Sequence, residues 1–147
     1  MMGFKSASTA LLLSVLLLLP LACQPPSQFV TVTKVIDGDT IVIEGGTHVR
    51  YIGIDSPERD EPYYAEAMQM NEDLVEGKEV RLESDVTDKD EYGRLLRYVY
   101  AGDTFVNAEM VRQGWAWSTA FPPDIKYQGY LEAMENEAKQ LKRGFWQ

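Results

Sequence analysis

Residues Val35 to Glu58 read V-I-D-G-D-T-I-V-I-E-G-G-T-H-V-R-Y-I-G-I-D-S-P-E, and the fold is decided in this stretch. Thr40 to Ile43 is a β-branched run, Val49 to Ile54 is a second run of strand formers, and Glu44-Gly45-Gly46-Thr47 between them is a turn signal. The pattern predicts a β-hairpin. Asp39 opens its first strand and Asp55 closes its second, and in an antiparallel pair those ends are neighbours in space. Two adjacent carboxylates repel and raise each other's pKa unless positive charge sits between them. A hard divalent cation held by oxygen ligands resolves that conflict. Glu58, just past the stiffening Pro57, is a candidate base for a water beside such an ion. Arg50 lies on the same hairpin, and its planar fork suits a phosphate. Metal, carboxylate base and arginine together describe phosphoryl chemistry. Taken alone, Asp37-Gly38-Asp39 reads first as a plain turn, and Arg50 can be read as a cross-hairpin partner of Glu44.

The rest of the chain supplies the setting. Phe29 to Lys34 alternates apolar and polar residues and predicts a strand leading into the hairpin. Tyr63 to Glu76 predicts an amphipathic helix ended at Gly77, with Met68 and Met70 as packing residues. Lys78 to Glu83 and Leu95 to Ala101 predict strands on either side of a charged loop, and Ala101-Gly102-Asp103 turns the second back into Thr104-Phe105-Val106. Asn107 reads as the N-cap of a short helix, Ala108 to Gln113, closed at Gly114. Trp115 to Phe121 is irregular or extended, and a last helix covers about Lys126 to Arg143. Five strands with a helix between the third and fourth make an OB-like barrel plausible on pattern. Tyr98 and Tyr100 share a strand face, the three tryptophans read as packing residues, and His48, the only histidine, as an exposed strand residue.

D-G-D-T, then R-Y-I-G-I-D-S-P-E, then E-Y-G-R (Glu91 to Arg94) occur in an order that resembles the staphylococcal nuclease-like family, the thermonucleases. The resemblance covers about residues 29–147 and implies an α+β fold, an OB-fold five-stranded β-barrel with three packed helices. By that resemblance Asp39 and Asp55 would be carboxylate ligands of Ca²⁺, and Ser56, where the family often has Thr, would add its backbone carbonyl. Glu58 would position or deprotonate the attacking water. Arg50 and Arg94 would hold the phosphate through the transition state, and Tyr92 would lie near a terminal phosphate. Two positions depart from the family: Glu91 stands where the staphylococcal enzyme has a phosphate-binding Lys, and Ala120 where it has a base-stacking Tyr. Stacking is then reduced or moved to Phe121, and the loop after Glu58 is shorter. The implied activity is Ca²⁺-dependent hydrolysis of DNA, with RNA as a second candidate substrate and little sequence preference. The alternative is a noncatalytic OB-fold module that binds nucleic acid or protein at the cell surface.

Residues 1–22 differ in composition from all that follows, with one charge, Lys5, and an apolar run from Thr9 to Ala22 broken only by Ser14. The run is short for a membrane span and matches a secretory signal peptide. Leu19-Pro20-Leu21-Ala22-Cys23 resembles a bacterial lipobox, with Pro20 as a departure, which would make Cys23 a lipidated residue and the membrane anchor. Cys23 is the only cysteine, so no intramolecular disulfide can form. Residues 23–28 read as that anchor and a polar tether, and residues 29–147 as one catalytic domain expected to be monomeric. Past Cys23 the chain carries 23 acids against 13 bases, the 14 of the full sequence less Lys5. That balance has the wrong sign for loose binding to a polyanion, so it argues against a basic, nonspecific nucleic-acid binder and leaves room for an enzyme with a local positive site.

Overall fold

A computed structural model describes residues 28–147. The signal peptide, Cys23 and the tether up to residue 27 lie outside the described residues. Within them the chain forms β1 (Gln28–Val35), β2 (Thr40–Ile43), β3 (Thr47–Tyr51), β4 (Ile54–Asp55), α1 (Tyr64–Val75), β5 (Glu79–Glu83), β6 (Leu95–Ala101), β7 (Thr104–Phe105), α2 (Val106–Arg112), β8 (Trp117–Ser118) and α3 (Gln128–Gln140). The main sheet runs β3-β2-β1-β5-β6-β7, and a parallel pairing of β3 with β6 closes β1, β2, β3, β5 and β6 into a barrel. This is the expected α+β architecture: a five-stranded closed barrel carrying three helices. β7 extends one edge as a short hairpin, and β4 pairs with β8 as a separate ribbon.

Alternation along the strands fills the barrel. Ile41 and Ile43 of β2, Val49 and Tyr51 of β3, and Val80 and Leu82 of β5 all point inward and are buried. In β1 the inward set shifts parity, from Val30 and Val32 to Val35. A register irregularity between Val32 and Lys34 explains the shift, since one extra residue in a strand moves the following side chains to the other face. Ala67 and Val75 of α1, Met110 and Val111 of α2 and Leu131 of α3 close the core from outside the barrel. Among the described residues the tryptophans pack as expected: Trp115, Trp117 and Trp146 all contact the ring of Phe145, with Trp117 stacked on it at 4.5 Å.

Three local expectations are corrected. The second hairpin strand does not run on to Ile54. It ends at Tyr51, because Gly53 (φ +79°) turns the chain beneath Leu131, whose Cδ1 would lie 2.6 Å from a Cβ at this position. Asn107 is not an N-cap. Helix α2 starts one residue earlier, and the fully buried Asn107 side chain accepts the Val99 N–H (2.9 Å) and donates to the Ile52 carbonyl (2.9 Å). It satisfies backbone groups that the barrel closure would otherwise strand, which outweighs a cap. The third concerns α3, which is three residues shorter at its C-terminal end than expected. Gly144 opens a short 3-10 turn, Gly144–Trp146, packed backbone to backbone on Gly114.

Candidate active site

The turn between β1 and β2 presents Asp37, Gly38 and Asp39. Asp37 Oδ1 accepts the Asp39 N–H (3.0 Å), an Asx-type contact that shapes the turn. Asp39 is buried, and both of its oxygens are occupied. Oδ1 accepts from Thr40 Oγ1 (3.0 Å) and lies 3.2 Å from Arg50 Nε, and Oδ2 accepts the Ser56 N–H (2.7 Å). The β2–β3 ladder pairs Thr40 with Arg50, so Asp55 does not lie opposite Asp39 in the hairpin. The two acids meet instead because the Gly53 turn brings β4 back, with Ser56 docked on Asp39.

Arg50 is the centre of this cluster. Its Nη1 donates to the carbonyls of Tyr51 and Ile54 (both 2.9 Å), its Nη2 donates to Asp55 Oδ1 (2.7 Å), and its Nε faces Asp39. A guanidinium has five N–H donors. Three are hydrogen-bonded and a fourth is ion-paired, so Arg50 has one left for a substrate oxygen. Arg50 is therefore not the cross-hairpin partner of Glu44.

Negative charge exceeds what Arg50 neutralises. Burial, then the Asp39 charge, pushes the Asp37 carboxyl up to about 6. Burial also raises the Asp55 carboxyl; Arg50 opposes that rise, while Asp39, Glu58 and Glu61 add to it. Among the described residues no three His, Cys, Asp or Glu side chains converge tightly enough to form a metal cage by themselves. The expected set is two carboxylates and a main-chain carbonyl, and it fits a hard cation chemically. Asp39 Oδ1 is filled by Thr40 and Arg50, but Asp39 Oδ2 and the Asp55 oxygens keep lone-pair sites for an ion, and the carboxyl raised against its neighbours is the type of group that an ion relieves.

Glu58 follows Pro57 on the loop into α1 and is exposed. Its N–H donates to Glu61 Oε2 (2.8 Å) and its carbonyl accepts the Glu61 N–H (2.8 Å), which fixes the loop. Among the described residues no hydrogen bond or ion pair engages its own carboxylate. Arg94 comes from just before β6, the strand that pairs in parallel with β3 and sets Leu96 beside Arg50. Asp90 holds it in place: Oδ2 accepts Arg94 Nε (2.7 Å), and Oδ1 accepts the N–H groups of Tyr92 and Arg94 (both 3.0 Å). Among the described residues neither terminal nitrogen of Arg94 has a hydrogen-bond or ion-pair partner.

Arg50 and Arg94 share the wall of a cavity of about 380 Å³, floored by Ile52 and Leu96 and rimmed by Glu91, Tyr92 and Phe121. Tyr92 is 76 % exposed, with the Arg94 guanidinium 5.5 Å from its ring centre, and Phe121 is 48 % exposed. Ala120 is exposed but does not line the cavity; the aromatic surface there is Phe121. The acids Asp39, Asp55 and Glu58 lie beyond Arg50, which joins cavity and acid cluster. The sequence reading missed Asp90. Its signal was an acid four residues before Arg94 in a loop otherwise read as solvated.

A closed barrel of this topology, with an arginine-walled cavity beside an acid cluster, defines a protein built to handle phosphodiesters. A family model described as staphylococcal nuclease homologue matches residues 48–147, and the chain belongs to that family. It is 36% identical over 124 residues to a thermonuclease of Staphylococcus hyicus, covering 78% of this chain and 73% of that one. It is 38% identical over 128 residues to the endonuclease YncB of Bacillus subtilis, covering 80% of this chain and 61% of that one. An uncharacterized endonuclease of Escherichia coli is also 38% identical over 124 residues, 78% of this chain and 74% of the relative. The protein is a nuclease, a hydrolase acting on nucleic acid.

Proposed function

We propose that this protein is an exported, Ca²⁺-dependent endonuclease of low sequence specificity, with DNA as substrate and RNA as a second one. The observation that carries the reading is Arg50, which touches both candidate ligand acids and also walls the cavity that Arg94 enters. Asp39, Asp55 and the Ser56 carbonyl would hold the ion. When bound, Ca²⁺ supplies positive charge to a non-bridging oxygen of the scissile phosphate. Glu58, with its carboxylate free, accepts a proton from the water that attacks phosphorus. As the new P–O bond forms and the P–O bond to the leaving nucleotide breaks, the leaving oxygen keeps the bond's electron pair and takes a proton from solvent, and charge grows on the non-bridging oxygens. Arg94, through its free terminal nitrogens, and Arg50, through its one remaining donor, hydrogen-bond those oxygens. The donors are fixed by carboxylates and carbonyls before substrate arrives, so little reorganisation is needed during reaction. Tyr92 flanks the nucleotide at the rim.

The leader and Cys23 would export the chain and anchor it by lipid, with the domain acting as a monomer at the membrane surface. The test is cleavage of single-stranded DNA by the purified protein with Ca²⁺ and with excess EGTA. Cutting that EGTA abolishes is expected. Cutting that survives EGTA, or folded protein that does not cut with Ca²⁺, would overturn the assignment.

A further inference from the structure

Helix α1 presents Tyr64, Ala67, Asn71 and Val75 at spacings of three and four, a single face. Three of these four meet the Ile36–Gly38 segment instead of simply filling the core. Tyr64 Oη donates to the Ile36 carbonyl (3.0 Å), and Asn71 Nδ2 donates to the Asp37 carbonyl (2.8 Å). Ala67 packs on Gly38, where an added Cβ would lie 3.1 Å from the Ala67 Cβ and 2.7 Å from that of Ser56. Asn71 is fully buried. Its Oδ1 accepts from the buried Tyr51 hydroxyl (2.8 Å), which fixes the orientation of the amide. Tyr51 in turn donates its own N–H to the Asp39 carbonyl (2.8 Å). The bonds form a closed circuit, Tyr51 to Asn71 to Asp37 and, from the same Tyr51, back to Asp39. Its members are buried or half-buried, so a lost bond is not replaced by water.

We propose that Asn71, oriented by Tyr51, is the positioning residue for the Asp37-Gly38-Asp39 turn, so that α1 sets the geometry of the Asp39 carboxylate. The inference rests on the reading of Asp39 as an ion ligand and extends it to residues remote from the ion. The N-terminal end of α1 is also tied to the Glu58 loop, through the Tyr64 N–H to the Glu61 carbonyl and the Glu58–Glu61 pair. One helix thus anchors the loop of the candidate base at its start and seats the candidate ligand turn on its side.

The test compares Asn71→Ala and Tyr51→Phe with Val75→Ala. Val75 is equally buried on the same helix face one turn on, and its apolar side chain has no group with which to hydrogen-bond the turn. Ca²⁺ affinity is read by calorimetry on the purified protein, stability by urea denaturation, and the turn by amide exchange at Asp39 and Ser56. Asn71→Ala should weaken Ca²⁺ binding about tenfold and Tyr51→Phe less, the effect expected for outer groups that orient a ligand. Exchange at both amides should quicken, and Val75→Ala should lose stability with neither change. Unchanged Ca²⁺ affinity and exchange in Asn71→Ala would overturn the proposal. Should the unsubstituted protein bind no Ca²⁺, the ion assignment falls on its own, and exchange at Asp39 still decides whether Asn71 positions the turn.

Discussion

Replacing Arg50 by Met keeps the unbranched stem of the side chain to about the position of Nε and removes its charge and five donors. Asp39, with a side chain only 7% exposed, then loses its ion partner, and Asp55, 49% exposed, loses a hydrogen-bonded one. Removing one member of a buried pair costs about 3–5 kcal/mol, while the half-exposed Asp55 adds no more than about 1 kcal/mol. The Tyr51 and Ile54 carbonyls each lose a donor. These effects share one group and do not add, so a loss of about 4 kcal/mol in EGTA is expected from urea titrations followed by tryptophan fluorescence. Added Ca²⁺ should reduce that loss, because the ion supplies the positive charge that the variant lacks. In the unsubstituted protein Arg50 and the ion neutralise the same carboxylates. Removing Arg50 should therefore tighten Ca²⁺ binding, and a tenfold gain is worth about 1.4 kcal/mol of added stability at saturation. Cleavage should move the other way and fall about a hundredfold or more, as for loss of a donor to a developing oxyanion. Tighter metal with poorer catalysis is the diagnostic pair. Ca²⁺ binding that is unchanged or weakened in Arg50→Met would refute the shared-carboxylate reasoning.

Asp90→Asn should leave folding nearly intact but free the Arg94 side chain, lowering kcat/KM for oligonucleotides about tenfold with little change in Ca²⁺ affinity; an unaltered kcat/KM would show that Arg94 needs no such partner. Glu91→Lys reverses the charge at the cavity rim, and two unit changes acting on a phosphate dianion about 8 Å away are worth about 2 kcal/mol before salt screening. Inhibition by a phosphate-ended mononucleotide should accordingly strengthen about tenfold, and equal inhibition of both proteins would remove Glu91 from the rim's electrostatics. Burial works against ionisation of Glu83, but hydrogen bonds from Lys126 and Tyr127 prevail and hold its carboxyl below the usual 4.5. A lowered folded-state value contributes stability above pH 4.5 that is lost as pH falls through the folded-state value. Glu83→Gln should thus be less stable than the parent in urea at neutral pH and match it in acid; a deficit that persists in acid would point to packing. With two arginines on the phosphate, log(kcat/KM) for single-stranded DNA should fall with log[salt] at a slope of about −1.4, and a slope several times steeper would reveal an extended binding track.

The shallow slope follows from where the positive charge lies. Arg81, Arg97, Arg112, Lys126, Lys139 and Arg143 are each ion-paired with a surface acid. Their fields are largely cancelled within the domain, and the residual surface is acidic. A polyanion gains little from contact with such a surface away from the cavity. Arg94 differs because Asp90 takes its Nε, while Arg94 lines the cavity and, among the described residues, its terminal nitrogens have no partner. Discrimination between the site and the rest of the surface therefore comes from which nitrogen of each arginine is occupied, more than from the number of arginines.

That distinction also marks what could be read in the sequence. The barrel was legible because alternation and turns are local: Ile41, Ile43, Val49 and Tyr51 declare a face by parity alone. The acids and arginines of the site were legible as residue types in an ordered pattern. Their pairing was not, since it depends on the Gly53 turn, which returns Asp55 to Arg50 after the ladder has ended. Asn107 was misread for a related reason. An Asn before a helical pattern suits a cap locally, yet the same amide can join β6 to the Ile52 carbonyl, and burial makes that tertiary use the stronger one. Asn71 and Asp90 were overlooked because each acts through a neighbour, one through the Asp37 carbonyl and the other through Arg94 Nε. A polar residue on an otherwise apolar helix face was the only trace that Asn71 left in the sequence. Such a residue stays buried only when its hydrogen bonds are made, and here they are made to the turn that carries Asp39.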